Sequence, residues 1–201
     1  SVAIWGNYAA VGCPEWKEFD VDNGRVLIFE RNQGGTGHWG YVTWVIGSDT
    51  HASNPPGGSR AACGYRIDMY DNYLGITCRE QNSLAPVWPG MGAGFIFDRT
   101  NGWQQTAKLV HTPQGGDPET SAQPLLFGQT LDMDKLDGDS RGLLVLTTSI
   151  RLGVSNNLGG AWVFAENQGG SGIFGEIAVH RMATTPGSDC GLGGAISAWA
   201  D

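Results

Sequence analysis

The stretch Val26-Leu27-Ile28-Phe29-Glu30-Arg31-Asn32-Gln33-Gly34-Gly35-Thr36-Gly37-His38-Trp39-Gly40 returns later in the chain as Trp162-Val163-Phe164-Ala165-Glu166-Asn167-Gln168-Gly169-Gly170-Ser171-Gly172-Ile173-Phe174-Gly175. A weaker copy lies between them, Gly94-Phe95-Ile96-Phe97-Asp98-Arg99-Thr100-Asn101-Gly102-Trp103. It keeps the apolar run, the acidic residue, the Asn-Gly turn and the aromatic. Phe29, Phe97 and Phe164 stand 68 and 67 positions apart, so three periods account for nearly all of the 201 residues. Such self-similarity marks a chain of repeated supersecondary units, none of which buries its apolar face alone.

Composition sets the class. With 32 Gly, 8 Trp and only 12 Lys+Arg, the chain has many tight turns with aromatic packing between them and little material for long amphipathic helices. An all-β chain is expected. A formal net charge of -8 argues against nucleic acid as a partner, because phosphates demand a basic face. No apolar run approaches the length of about 18 residues that a membrane helix needs. The N-terminus, Ser1-Val2-Ala3-Ile4-Trp5, has neither Met nor a charged-then-apolar leader, as expected of a processed or trimmed product. Cys13, Cys63, Cys78 and Cys190 lack the C-x-x-C spacing of a zinc site. Two disulfides in an exported protein, or buried free thiols, account for them, and the pairing stays open.

Each unit reads as four strands, with units at 1–72, 73–139 and 140–201. The first strand ends in the repeated Phe and is continuously apolar, as expected of a strand covered on both faces. A Gly/Asn turn reverses it into a second strand, at residues 41–46, 104–110 and 176–180. Polar connections rich in Pro, Gly, Ser and Asp follow, at 48–60, 111–124 and 183–189. An X-Gly pair then opens the third strand: Cys63-Gly64, Phe127-Gly128 and Cys190-Gly191. Turns at Asp71-Asn72 and Asp137-Gly138-Asp139 lead to a fourth strand, at 73–77 and 143–147. The third copy stops before its fourth strand. Placing residues 197–201 ahead of Ser1-Val2-Ala3-Ile4-Trp5 restores the pattern, so the last unit is expected to be split between the two ends.

Four-stranded units of this length are propeller blades. The motif F-E-R-N-Q-G-G-x-x-x-W-G, a polar loop, F-G and a short D-G-D hairpin resembles the FG-GAP repeat of integrin-type and bacterial surface β-propellers. The resemblance covers all three units. It is strongest at residues 29–40 and 164–175, and weakest at Cys63-Gly64 and Cys190-Gly191, where Cys replaces Phe. It implies an extracellular or cell-surface, propeller-like all-β domain. Familiar propellers carry four to eight blades and this chain encodes three. Ring closure or open propagation between chains by strand exchange is therefore expected, as is the alternative of a fragment of a longer propeller.

Residues 35–40 and 170–175 fit G-x-G-x-x-G, but a strand rather than a helix follows the glycines, so they read as β-turns and not as a dinucleotide site. Asp132, Asp134, Asp137 and Asp139 form the one acidic cluster able to gather oxygen ligands for Ca²⁺, with Gly138 permitting the sharp turn. The resemblance implies calcium loops, although this spacing carries an extra residue, and a solvated Asp-Gly hairpin serves equally. His38, His51, His111 and His180 occupy different repeat positions, with no H-E-x-x-H pair and no G-x-S-x-G elbow, so no enzyme is expected. Trp39 and Trp103 share the position of Phe174 and are assigned to packing.

These readings converge on a non-enzymatic extracellular structural or adhesive module. It is expected to form a homo-oligomer or filament through Val2, Ile4 and Trp5 of one copy and Ala195, Ile196 and Trp199 of another. The rival is a glycan-binding, lectin-like propeller, helped by calcium, with a glycan or cell-surface ligand held by the three polar connections.

Overall fold

The computed structural model describes residues 1–18, 21–48, 50, 61–79, 92–110, 125–135, 143–151, 159–168, 170 and 172–181. These residues are all-β apart from one 3-10 turn at Arg99–Asn101. The first sheet holds β1 (Val2–Trp5), β2 (Tyr8–Cys13), β5 (Arg25–Arg31) and β6 (Trp39–Val45), with a small ribbon of β3 (Lys17–Glu18) and β4 (Val21–Asp22) between β2 and β5. The second holds β7 (Cys63–Tyr70), β8 (Tyr73–Cys78), β9 (Ala93–Asp98) and β10 (Gln104–Leu109). The third holds β11 (Leu125–Lys135), β12 (Leu143–Arg151), β13 (Gly159–Ala165) and β14 (Gly175–Arg181). Each sheet is a four-stranded antiparallel meander.

The glycine-rich copies are hairpin loops. Asn32 and Asn167 take positive φ values of 68° and 63°. Their Oδ1 atoms accept the N–H of Gly37 at 2.8 Å and of Gly172 at 2.9 Å. Each loop leads directly into a strand, β6 or β14.

The sheets differ in phase from the sequence units. The boundaries at 72/73 and 139/140 fall between β7 and β8 and between β11 and β12, which are neighbours in one sheet. The second and third sheets thus each join the third and fourth strands of one unit to the first and second of the next. At 72/73 the two-residue turn at Asp71-Asn72 pairs its flanking strands directly, whereas residues 46–62 carry the chain from the first sheet to the second.

The split last unit is corrected in the same way. Val2–Trp5 is not a fourth strand awaiting the C-terminus. It pairs with β2 in register Val2↔Val11 to Trp5↔Tyr8, through a turn at Gly6, whose φ is 57°. The turn Trp5-Gly6-Asn7-Tyr8 matches Tyr70-Asp71-Asn72-Tyr73, and the match extends to the backbone: Arg31 N–H donates to Asn7 O and Arg99 N–H to Asn72 O, both at 2.8 Å. Among the described residues the first sheet thus takes its four strands from residues 2–45. Residues 182–201, with Cys190, Ala195, Ile196 and Trp199, lie outside the described residues.

The sheets stack face to face. β7 lies against β1, β2 and β5, and β11 lies against β7, β8 and β9, so the second and third sheets each press their leading strand onto the preceding sheet. The X-Gly pairs make this approach. Gly64 and Gly128 share a φ of 85° and sit at register shifts that follow Cys63 and Phe127. A β-carbon on Gly64 would lie 2.9 Å from both Arg25 O and Gly12 Cα in the first sheet. On Gly128 it would lie 2.8 Å from Thr77 Cβ in the second. Gly24 and Gly92 answer from the other side, against the backbone of Cys63 and Phe127. Ser1 Oγ donates to Gly64 O at 2.8 Å, and Cys63 N–H to Asn23 O at 2.9 Å.

Two apolar clusters fill the spaces between sheets. The first unites Ala10, Val26, Ile28 and Val45 with Ile67, Met69, Leu74, Ile76, Phe95 and Phe97. The second unites Ile96 and Leu109 with Phe127, Met133, Val145, Trp162 and Phe164. The expectation of cover on both faces holds for β9, where five consecutive residues from Ala93 to Phe97 are buried. In β5 only Val26 and Ile28 are buried. Cys63 and Cys78 are register partners joined by a disulfide with a sequence separation of 15. Closing a loop of that size stabilises the fold by about 3 kcal/mol on the chain-entropy account. Cys13 is free and half-buried.

Gly64→Ala should destabilise the protein well beyond Gly102→Ala. Both glycines have positive φ, which costs an L-residue about 1–2 kcal/mol, but Gly102 has nothing within 4 Å of an added β-carbon. Chemical denaturation of the two variants checks this; equal losses would show that the close approach at Gly64 is unimportant.

Candidate functional site

Residues of β1, β2, β5 and β6 that point away from the second sheet form two cross-strand rows. Register aligns Val2, Val11, Leu27 and Trp44 in one, and Ile4, Ala9, Phe29 and Tyr41 in the other. Phe29 and Tyr41 meet edge to face with centroids 6.1 Å apart. The rows of this front face are apolar but for the Tyr41 hydroxyl, and Val2, Ile4, Tyr41 and Trp44 are exposed while Ala9, Val11, Leu27 and Phe29 between them are half-buried. Val2 is 76% exposed where its counterpart in the second sheet, Ile67, is 7% exposed; Ile4 is 64% exposed against 5% for Met69. Trp39 is 42% exposed against 8% for Trp103. Contiguous exposed apolar surface of this kind marks an interaction site.

The same comparison explains the rim. Trp103 of the second sheet packs edge to face on Tyr8 of the first at 5.6 Å, and the Arg99 guanidinium lies 4.7 Å from the Tyr8 ring centroid while donating to Asn72 Oδ1. In the third sheet Glu166 holds the position of Arg99, and Tyr73, the counterpart of Tyr8, donates its hydroxyl proton to Glu166 Oε1 at 3.2 Å. Burial, with the Glu166 charge beside it, pushes the Tyr73 hydroxyl up to about 12. The Tyr8 hydroxyl is raised mainly by its 2.8 Å hydrogen bond to Glu30. Arg31 and Trp39 occupy the corresponding rim of the first sheet and are exposed.

Of the residues expected to mediate self-association, Val2 and Ile4 lie on this face. Trp5 does not: its ring is turned to the second sheet, 4.7 Å from Tyr70. Sequence reading missed Leu27, Phe29, Tyr41 and Trp44 as members of the face. The signal was their cross-strand register with Val2 and Ile4, which needed the β1–β2 hairpin to be recognised.

The expected calcium cluster is divided. Asp132 and Asp134 lie on β11, a strand rather than a loop, and Asp134 Oδ1 accepts the Lys135 N–H at 2.7 Å; Asp137 and Asp139 lie outside the described residues. Among the described residues no group of three or more His, Cys, Asp or Glu is arranged to hold a metal. Close by, Asp68 bridges two sheets: Oδ1 accepts the Met69 N–H at 2.8 Å and Oδ2 the Met133 N–H at 2.7 Å. Burial pushes its carboxyl up from 3.8, and the Asp132 and Asp134 charges add to this, against the two backbone donors.

Elsewhere, the Arg25 guanidinium stacks between Trp16, at 4.0 Å, and Trp44, at 4.7 Å, at the border of the front face. A cleft of about 230 Å³ opens between β6 and β10, lined by Trp44, Val45, Phe97, Trp103 and Gln105 among others. The polar connections expected to hold a ligand lie largely outside the described residues, as do His51 and His111. His38 is in the exposed first hairpin loop. Among the described residues no helix is long and apolar enough to cross a membrane. Comparison of the chain with protein-family models finds no match, and comparison with curated proteins finds none.

The Asp68 contact gives a signed pH dependence. A carboxyl whose folded pKa lies above its unfolded value of 3.8 contributes most below that value, and the contribution fades as pH rises through the folded pKa. Melting temperatures of the parent should therefore rise relative to Asp68→Asn as pH falls from neutral toward 3.8; a difference independent of pH would contradict the assignment.

Proposed function

We propose that this chain is a non-enzymatic structural and adhesive module of the FG-GAP β-propeller type, acting outside the cell or at its surface by self-association. One observation carries the reading. Two successive sheet-on-sheet contacts use the same positions, and the first sheet presents those positions uncovered. The propeller reading draws support from four-stranded meanders in contact through their leading strands, with a cleft between β6 and β10. The Cys63–Cys78 disulfide suits an oxidising compartment.

A glycan-binding reading has one observation in its favour, the exposed pair Trp16 and Trp44 flanking Arg25, since aromatic faces also receive sugar rings. Calcium dependence would belong to this reading.

Sedimentation velocity over a concentration series separates the two. Self-association should give a mass above the 21.4 kDa of one chain that grows with concentration. A single monomeric species at all concentrations, together with glycan-array binding lost on chelation, would replace the adhesive reading with the lectin one.

A further inference from the structure

Resting on the self-association reading, we infer that the front face of the first sheet docks the back of the third sheet of a second copy of this chain, front to back as successive sheets dock within the chain.

The intrachain contacts define what fits. Front positions are bulky: Met69, Phe95 and Phe97 in the second sheet, Met133, Trp162 and Phe164 in the third. Back positions near the centres of β2, β5, β8 and β9 are small or β-branched, whereas Leu109 on β10 is not. Ala10 of the first sheet and Gly75 of the second occupy one such position, and a β-carbon on Gly75 would run into the Met133 sulfur. Val26 and Ile28 of the first sheet correspond to Gly94 and Ile96 of the second. The third sheet continues the series with Ala161 and Val163 on β13, both half-buried, and carries Leu146 at the register position of Ala10 and Gly75, where the residue of the incoming first sheet is Ile4 in place of the longer Met133. A bulky face therefore meets a lean one at each of the two interfaces. Two front faces brought together would set Ile4, Tyr41 and Trp44 against their own kind, bulky against bulky.

The polar anchor repeats as well. Asp68, on the back of the second sheet, receives the Met133 N–H of the third. Asp132 holds the place of Asp68 one sheet further on, and Ile4 holds the place of Met133 in the first sheet. Docking a second copy in the same register brings its Asp132 to Ile4. Such a contact is head-to-tail, so it closes a ring or propagates. Two copies supply six sheets, within the four to eight of known propellers.

The test mixes two proteins, both carrying Cys13→Ser and Cys190→Ser: one with Ile4→Cys, the other with Asp132→Cys. A second pairing uses Val163→Cys in place of Asp132→Cys, in case the loss of Asp132 perturbs the third sheet. A short bismaleimide should yield covalent dimers in the mixtures and not in any single protein. In parallel, Ile4→Glu should weaken association at least tenfold by sedimentation while its circular dichroism stays that of the parent, because Ile4 is mostly exposed in the single chain. Cross-linking of the Ile4→Cys protein with itself would show front-to-front pairing and overturn the inference. A parent that assembles without any of these cross-links, and is indifferent to Ile4→Glu, overturns the docking face while leaving self-association through another surface. A parent that stays monomeric overturns both.

Discussion

Everything in this molecule depends on how closely one sheet's backbone comes to the next. The approach is made where Gly64 meets Gly12 and Arg25, and again where Gly128 meets Thr77. At both places a positive φ and a missing side chain let the leading strand start against its neighbour's backbone. Only then can the bulky residues that follow along β7 and β11 reach the lean face opposite. Burial of those residues supplies the main driving force, and the glycines determine whether it can be realised.

Because the contact is directional, each sheet has a front and a back with different duties. The second sheet uses both and is buried on both. Among the described residues the first uses only its back toward a neighbouring sheet, so its front keeps interface composition with Val2, Ile4, Tyr41 and Trp44 exposed. Polar groups follow the same logic: Asp68 links back to front through two backbone N–H groups, and the tyrosines at the rim pair with charged partners on the following sheet. A face that is apolar by descent from the repeat, and uncovered by position in the chain, explains why surface recognition rather than chemistry is the functional reading.

Much of this was legible in the residues, because Phe29, Phe97 and Phe164 report the period and the Asn-Gly loops report the hairpins. The phase was not legible, since a period can be cut anywhere and only backbone pairing decides which strands share a sheet. The N-terminal hairpin was hidden for a local reason: Trp5-Gly6-Asn7-Tyr8 shares only Asn and Tyr with Tyr70-Asp71-Asn72-Tyr73. Missing it made Val2–Trp5 look like an orphan strand and moved attention from a face to an edge. Nor could sequence separate the apolar run 26–29 of β5 from the run 93–97 of β9, although one is covered on one side and the other on two. The X-Gly pair was visible as a signature, but its meaning, a backbone contact between sheets, required the neighbour to be in place.

The central claim is that equivalent aromatic positions in successive sheets differ only in whether a preceding sheet covers them. Hydroxyl-radical footprinting with mass spectrometry at low protein concentration reads this directly. Trp39 and Tyr41 should oxidise readily while Trp103 and Trp162 stay protected, and the labelling of Trp39 should fall as concentration rises. Equal oxidation of Trp39 and Trp103 in the dilute protein would contradict the account.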